Sequence, residues 1–123
     1  VVMGDHQYFR GYTLFLFKSH VTELHFLTTE IKMTFLKEMS LVAEACYHAF
    51  GAEKMNYELL GNGDSHLHWH LFPRKTGDMP IKGPVWWLDP EVMYSDDVRP
   101  TPLELEHMKQ RLNHSLDKLL LDK

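Results

Sequence analysis

The stretch His66-Leu67-His68-Trp69-His70-Leu71-Phe72 decides how this chain is read. Three of the nine histidines stand at every second position, each followed by a large apolar residue. Strict alternation is the mark of a β-strand, whose side chains point to opposite faces in turn. His66, His68 and His70 are therefore expected on one face, with imidazoles ~6–7 Å apart along the strand. Leu67, Trp69 and Leu71 are expected on the other, packed on a helix. Pro73 is expected to end the strand, because proline cannot donate to a ladder.

The sequence on either side supplies the rest of a sheet. Gly61-Asn62-Gly63-Asp64 is a turn signal. Residues 55 to 60, Met-Asn-Tyr-Glu-Leu-Leu, read as the partner strand of a hairpin. Residues 12 to 18, Tyr-Thr-Leu-Phe-Leu-Phe-Lys, read as another strand, preceded by Gly11 and ended by Ser19-His20. Between them the period changes. Ile31, Phe35, Met39, Val42, Cys46 and Ala49 recur at spacings of three and four, which predicts a long amphipathic helix from about Thr28 to Phe50. Thr28 or Thr29 is placed to cap its start and Gly51 its end.

Downstream, residues 73 to 100 hold five of the six prolines and little periodicity. An ordered loop is expected there, with Trp86 and Trp87 serving as packing anchors or a subunit contact, since aromatic rings favour burial. Thr101-Pro102-Leu103-Glu104 has the form of a capping box. Leu105, Met108, Leu112, Leu116 and Leu119 then continue a helix to about Leu121. The expected fold class is α+β, a single domain over residues 1–123 with an antiparallel sheet, a long central helix and a C-terminal helix.

Composition narrows the function. At 44% hydrophobic and 24% charged, the chain falls within the globular range. A net charge of −4 with no basic block argues against a nucleic acid polymer as partner. No apolar run approaches the ~18 residues of a membrane span. The first residues lack the basic and apolar regions of a secretory signal, so a cytoplasmic location is expected. Cys46 is the single cysteine and cannot form an internal disulfide. Its apolar helical neighbours predict a buried, inert thiol.

The histidine face carries the chemistry. Imidazole titrates near neutrality, so a row of them can hold mixed protonation states. A neutral ring can attack phosphorus, and a protonated one can neutralise a phosphate oxygen or give a proton to a leaving group. A zinc site is the rival reading, since histidines are common ligands. Zinc wants nitrogens at ~2.0–2.1 Å, and rings splayed along one strand do not converge without help from other elements. His6, His25, His48, His107 and His114 lack a partner pattern and read as surface residues.

His66 to Phe72 fits the histidine triad signature, histidine alternating with hydrophobic residues and ending in two of them. Pro73-Arg74-Lys75-Thr76-Gly77-Asp78 resembles the segment just after the triad in the diadenosine-polyphosphate hydrolase branch of that family. Gly11 to His20 resembles the family's strand that ends in a functional histidine. The resemblance covers roughly residues 8 to 78. It implies that His68 attacks the α-phosphate of a nucleotide substrate, forming a nucleotidyl-histidine that water then hydrolyses. It implies that His70 binds non-bridging oxygens, that His66 orients His68 through the backbone, and that His20 helps protonate the leaving group. It implies a homodimer, no cofactor and no metal in the hydrolytic step. By position, Asn56 is a candidate ribose contact, and an ordinary strand-edge polar residue on the competing reading. Asn62 and Ser65 are candidates for substrate contacts in the turn before the triad, and Trp86 and Trp87 could border the base pocket as the lesser alternative to packing.

The chain also departs from the family pattern. Family members carry two strands before the segment matching Gly11, and often a zinc-binding cysteine pair. Here ten residues precede Gly11 without such cysteines, so shortened N-terminal strands are expected. Tyr12 stands where the family has histidine. A non-catalytic nucleotide-binding or regulatory module and a histidine-based zinc-binding protein remain alternative functions. A transferase branch replaces the third histidine with glutamine, so His70 favours hydrolysis.

Overall fold

A computed structural model describes residues 1–122. Four strands form one antiparallel sheet in the order β1-β2-β4-β3. They are β1 (Val2–Met3), β2 (Thr13–Leu16), β3 (Lys54–Glu58) and β4 (His68–Arg74). The long helix α1 spans Thr29–Ala49, a single turn α2 spans Pro90–Met93, and α3 spans Pro102–Asp122. The α+β class with a long central and a C-terminal helix is the one the sequence predicts. No helix among the described residues is long and apolar enough to cross a membrane.

The helix ends obey their local signals. Thr28 accepts from the Ile31 N–H at the start of α1. At its end Gly51 takes a left-handed φ of 63°, and the Ala52 N–H reaches back to the Tyr47 carbonyl at 3.0 Å. The capping box of α3 closes both ways, Thr101 N–H to Glu104 Oε1 at 3.0 Å and Glu104 N–H to Thr101 Oγ1 at 3.1 Å. Along α1 the predicted face is buried at Phe35, Met39, Val42 and Cys46, but Ile31 in the first turn is exposed.

The inner face of β4 meets the helices. Leu71 and Trp69 pack with Met39, Val42, Ala43 and Cys46 of α1 and with Met108 and Leu112 of α3. Ser115 Oγ donates to the Ala45 carbonyl at 2.9 Å, and Arg111 donates to the Ala49 carbonyl, so α3 is tied to α1 by polar contacts as well. Cys46 is fully buried, and burial raises its pKa to about 11, which leaves an unreactive thiol.

The strand boundaries differ from the sequence reading: β2 stops at Leu16 rather than Lys18, and β3 runs from Lys54 to Glu58 rather than from 55 to 60. Pro73 lies inside β4, opposite Met55, and the strand runs on to Arg74. β2 pairs with β4 only as far as Leu71, so Pro73 sits where β4 has a partner on one side alone, a position that tolerates a missing N–H. At the other end the ladder begins at His68, not His66. The segment 73 to 100 is ordered, as expected, but around different anchors. Met79, Val85, Leu88 and Met93 form a second core with Phe9 and Phe72. Trp86 and Trp87 are 43% and 62% exposed, which corrects the packing-anchor half of their expected role. Their helical turn spends its inward positions on Val85 and Leu88 instead.

Gly11 sets the entry to β2. Its φ is +99°, and a Cβ there would lie 2.4 Å from the Phe50 ring. Gly11→Ala is therefore expected to lower the unfolding free energy by roughly 2 kcal/mol or more, from φ strain and overpacking together. Urea denaturation checks this. Adding Phe50→Leu should recover the packing part and leave the φ part, a coupling that a double-mutant cycle reads directly. Simple additivity would mean that the ring contact is unimportant.

Candidate active site

The outer face of β4 carries His68, His70, Phe72 and Arg74. Register places Leu16 opposite His68 and Leu14 opposite His70 on β2, with Glu58 opposite His70 and Asn56 opposite Phe72 on β3. Directly opposed residues share a face, so these side chains form one surface.

Hydrogen bonds to carbonyl groups fix where the ring protons sit. A carbonyl can only accept. His68 Nδ1 is 2.5 Å from the His66 carbonyl, so it carries the proton and donates. In the neutral ring Nε2 is then a lone pair. His70 Nε2, 3.1 Å away, must donate to it. His70 Nδ1 is thereby an acceptor, and the Tyr12 O–H donates to it at 2.6 Å. A second chain runs beside the first. His66 Nε2 donates to the Phe17 carbonyl at 2.6 Å, and its Nδ1 accepts from His20 Nδ1 at 3.2 Å.

The four histidines that the sequence singles out are thus brought together, but not as an even row. The rings of His68 and His70 lean to 4.7 Å between centroids, closer than strand spacing gives. His66 lies ahead of the ladder, and its ring turns to the end of β2 and to His20, 5.4 Å between centroids. Among the described residues no three His, Cys, Asp or Glu side chains converge on one point that could hold a metal.

Burial grades the row. His70 is partly covered, and its pKa is pulled down to about 4, first by burial and then by the neighbouring His68. It is neutral at pH 7. Tyr12 is held well above the usual phenol range, mainly by burial, with Tyr94 and Glu58 adding to it. Its O–H therefore stays intact. His20 is exposed at the other end.

The remaining candidates divide. Ser65 is exposed and lines an open cleft of about 280 Å³ together with His66, His68, His25 and Lys32. Asn62 is exposed in the turn and lies outside that lining. Asn56 shares the histidine face, but its Oδ1 accepts from Arg74 at 2.9 Å. Arg74 also makes a two-pronged bond to Asp78, at 2.7 and 2.9 Å, donates to the Gly83 carbonyl at 2.9 Å, and lies over the Phe9 ring. It holds the Asp78 carboxyl below its ordinary range.

Two neighbours of His70 lie outside the set that the sequence singles out. Trp86 packs at right angles to His70 and Phe72, with centroids at 6.1 and 5.9 Å, and its indole N–H donates to the Glu58 carboxylate. Glu58 was legible, since it stands two residues after Asn56 in one strand. Trp86 stands beside the histidine face, the place that the sequence reading holds only as a lesser alternative to packing.

An α+β domain with alternating histidines on the open face of its sheet defines a histidine triad protein. The HIT domain model matches residues 6–77, and the chain belongs to that family. It is similar to a histidine triad protein from Marinobacter aquaeolei VT8, at 28% identity over 95% of this chain and 81% of that one, with a TM-score of 0.74. A histidine triad protein from Sinorhizobium meliloti 1021 is also 28% identical, over 92% and 79%, with a TM-score of 0.68. A hypothetical histidine triad nucleotide-binding protein from Sulfolobus tokodaii shares the fold at 17% identity, over 95% and 76%, with a TM-score of 0.71. A search of curated proteins finds no match.

The neutral His70 makes stability depend on pH. Unfolded, it takes a proton near its ordinary value of 6.5; folded, only near 4. The unfolded chain binds more protons between those values, so this contribution is complete above pH 6.5 and is lost as pH falls toward 4. Urea midpoints at pH 7 and 4.5 test it. The drop should be smaller in His70→Gln than in the wild type, and equal drops would contradict the burial of a neutral ring.

Proposed function

We propose that this protein is a nucleotide α-phosphate hydrolase of the histidine triad type, with dinucleoside polyphosphates or nucleoside phosphoramidates as substrates. The observation that carries the reading is the proton pattern around His68. Its Nδ1–H is committed to the His66 carbonyl at 2.5 Å, so its Nε2 lone pair is the free nucleophile of the histidine face. The His70 Nε2–H that now donates to this lone pair turns to a non-bridging phosphate oxygen when substrate enters.

In the first step His68 Nε2 forms a bond to phosphorus, and the bond from phosphorus to the leaving group breaks. The electron pair departs with the leaving group, which takes a proton from the imidazolium form of His20, exposed beside His66. The nucleotidyl-imidazolium keeps its Nδ1–H on the His66 carbonyl. In the second step water attacks phosphorus, the P–N pair returns to Nε2, and the nucleoside monophosphate leaves as the water proton passes to His20, which restores its acid form. Ser65, on the cleft beside His66 and His68, would contact the leaving group, with Asn62 nearby in sequence. Asn56 would meet the ribose through its amide N–H, since its oxygen is held by Arg74. The hydrolase branch, the absence of a cofactor and a homodimer belong to the same reading.

The test uses diadenosine tetraphosphate and an adenosine phosphoramidate, with chelator, on the wild type and His68→Ala. The wild type should release adenosine monophosphate and, quenched in alkali, show a nucleotidyl adduct by intact mass. His68→Ala should show neither, while nucleotide affinity stays within ~1–2 kcal/mol, because the lost interaction belongs to the transition state. Equal turnover by the variant would remove His68 as nucleophile. Tight binding without turnover by the wild type would make the chain a nucleotide-binding module.

A further inference from the structure

Tyr12 sits one residue ahead of β2, and its phenol is clamped from several sides. It stacks on Phe72 at 4.2 Å and 6°, and lies nearly parallel to His70 at 6.0 Å and 11°. Gly4 approaches so closely that a Cβ there would come within 2.3 Å of the ring. A phenol held this way has little freedom except rotation of its O–H. That O–H meets His70 Nδ1 at 2.6 Å.

An imidazole can turn over about its Cβ–Cγ bond, which exchanges a nitrogen for a carbon at each edge of the ring. In the resting site two contacts prevent this in His70, one at each nitrogen. The contact at Nε2 is to His68, and it is released when His68 engages phosphorus. From that moment the contact at Nδ1 is the fixed one. We propose that Tyr12 is a positioning residue: its O–H donates to His70 Nδ1 and keeps the His70 ring turned with an Nε2–H toward the reacting phosphate. This rests on the reading of His68 as nucleophile.

The surroundings agree with that role. His70 is faced by His68 along β4, by Tyr12 from the start of β2, by Glu58 across the register on β3 and by Trp86 at right angles. Glu58 is the one carboxylate in that set, and it accepts from the Trp86 indole. Tyr12 is thus the neutral donor at Nδ1. Because its O–H favours the unprotonated ring, removing it should let His70 take up a proton more readily.

The experiment combines ¹⁵N spectra of the imidazoles in the ligand-free protein with steady-state kinetics, for the wild type and Tyr12→Phe. In the wild type His70 should show an unprotonated, hydrogen-bonded Nδ1 and a protonated Nε2. In Tyr12→Phe the ring should titrate at a pH higher by about one unit. The acid limb of the kcat profile should move the same way, and kcat should fall roughly tenfold with KM within about twofold. A wild-type His70 with its proton on Nδ1 overturns the proposal, and this readout needs no variant. A Tyr12→Phe protein with unchanged His70 titration overturns it too, even if His68-dependent turnover is intact. Should the wild type show no turnover while the titration still moves, the positioning stands and the hydrolase reading fails.

Discussion

Everything in this structure hangs on the two-sidedness of β4. It is the inner strand beside both β2 and β3, so its side chains have only two directions available. Leu71 and Trp69 take the side that faces α1 and α3, where burying apolar area contributes roughly 25 cal/mol per Å². His68 and His70 are thereby committed to the other side. A slip of one residue would put imidazoles into the core and Leu71 into the site. The core therefore enforces the register on which the proposed chemistry depends.

Arg74 does for the irregular half of the chain what β4 does for the regular half. Its guanidinium is spent on Asp78, Asn56, the Gly83 carbonyl and the Phe9 ring, which anchors the segment after β4 against the sheet. Lysine could not make this set of contacts, because a planar fork is needed to bind a carboxylate at two points while reaching two further acceptors. With that segment fixed, Val85 and Leu88 enter the second core, and Trp86 comes to rest at right angles beside His70. The partial burial of His70, and hence its neutrality, depends on this chain of contacts as well as on the strand.

Most of the fold was legible because its signals are local. Thr28, Gly51 and the Thr101–Glu104 box mark helix ends by hydrogen bonds made within a few residues. The β3–β4 hairpin is set by alternation and a glycine-rich turn. The illegible features depend on partners distant in sequence. Pro73 reads as a stop until the length of β2 is known. Trp86 and Trp87 read as core until Val85 and Leu88 are seen to occupy the inward positions of the same turn. In the site, alternation finds His68 and His70 together, whereas the turning of His66 toward Phe17 depends on where β2 ends. Tyr12 stands out in sequence as a departure from the family's histidine, but its bond to His70 requires the β2–β4 register.

The backbone, more than the side chains, assigns the work of the histidines. Two carbonyl groups, those of His66 and Phe17, are the fixed acceptors from which both proton chains start. Neither can reverse its role, so His68 keeps its Nδ1 protonated, and in the neutral ring Nε2 is the bare nitrogen. A side-chain acceptor could rotate or titrate and would leave the tautomer open. The second chain runs outward to His20 at the solvent, while the first runs inward to Tyr12 in a covered pocket. Charge is therefore costly at the covered Tyr12–His70 end. In the proposed phosphoryl transfer the leaving group meets the solvent-facing His20, and the nucleophile His68 stands between His66 and the covered His70.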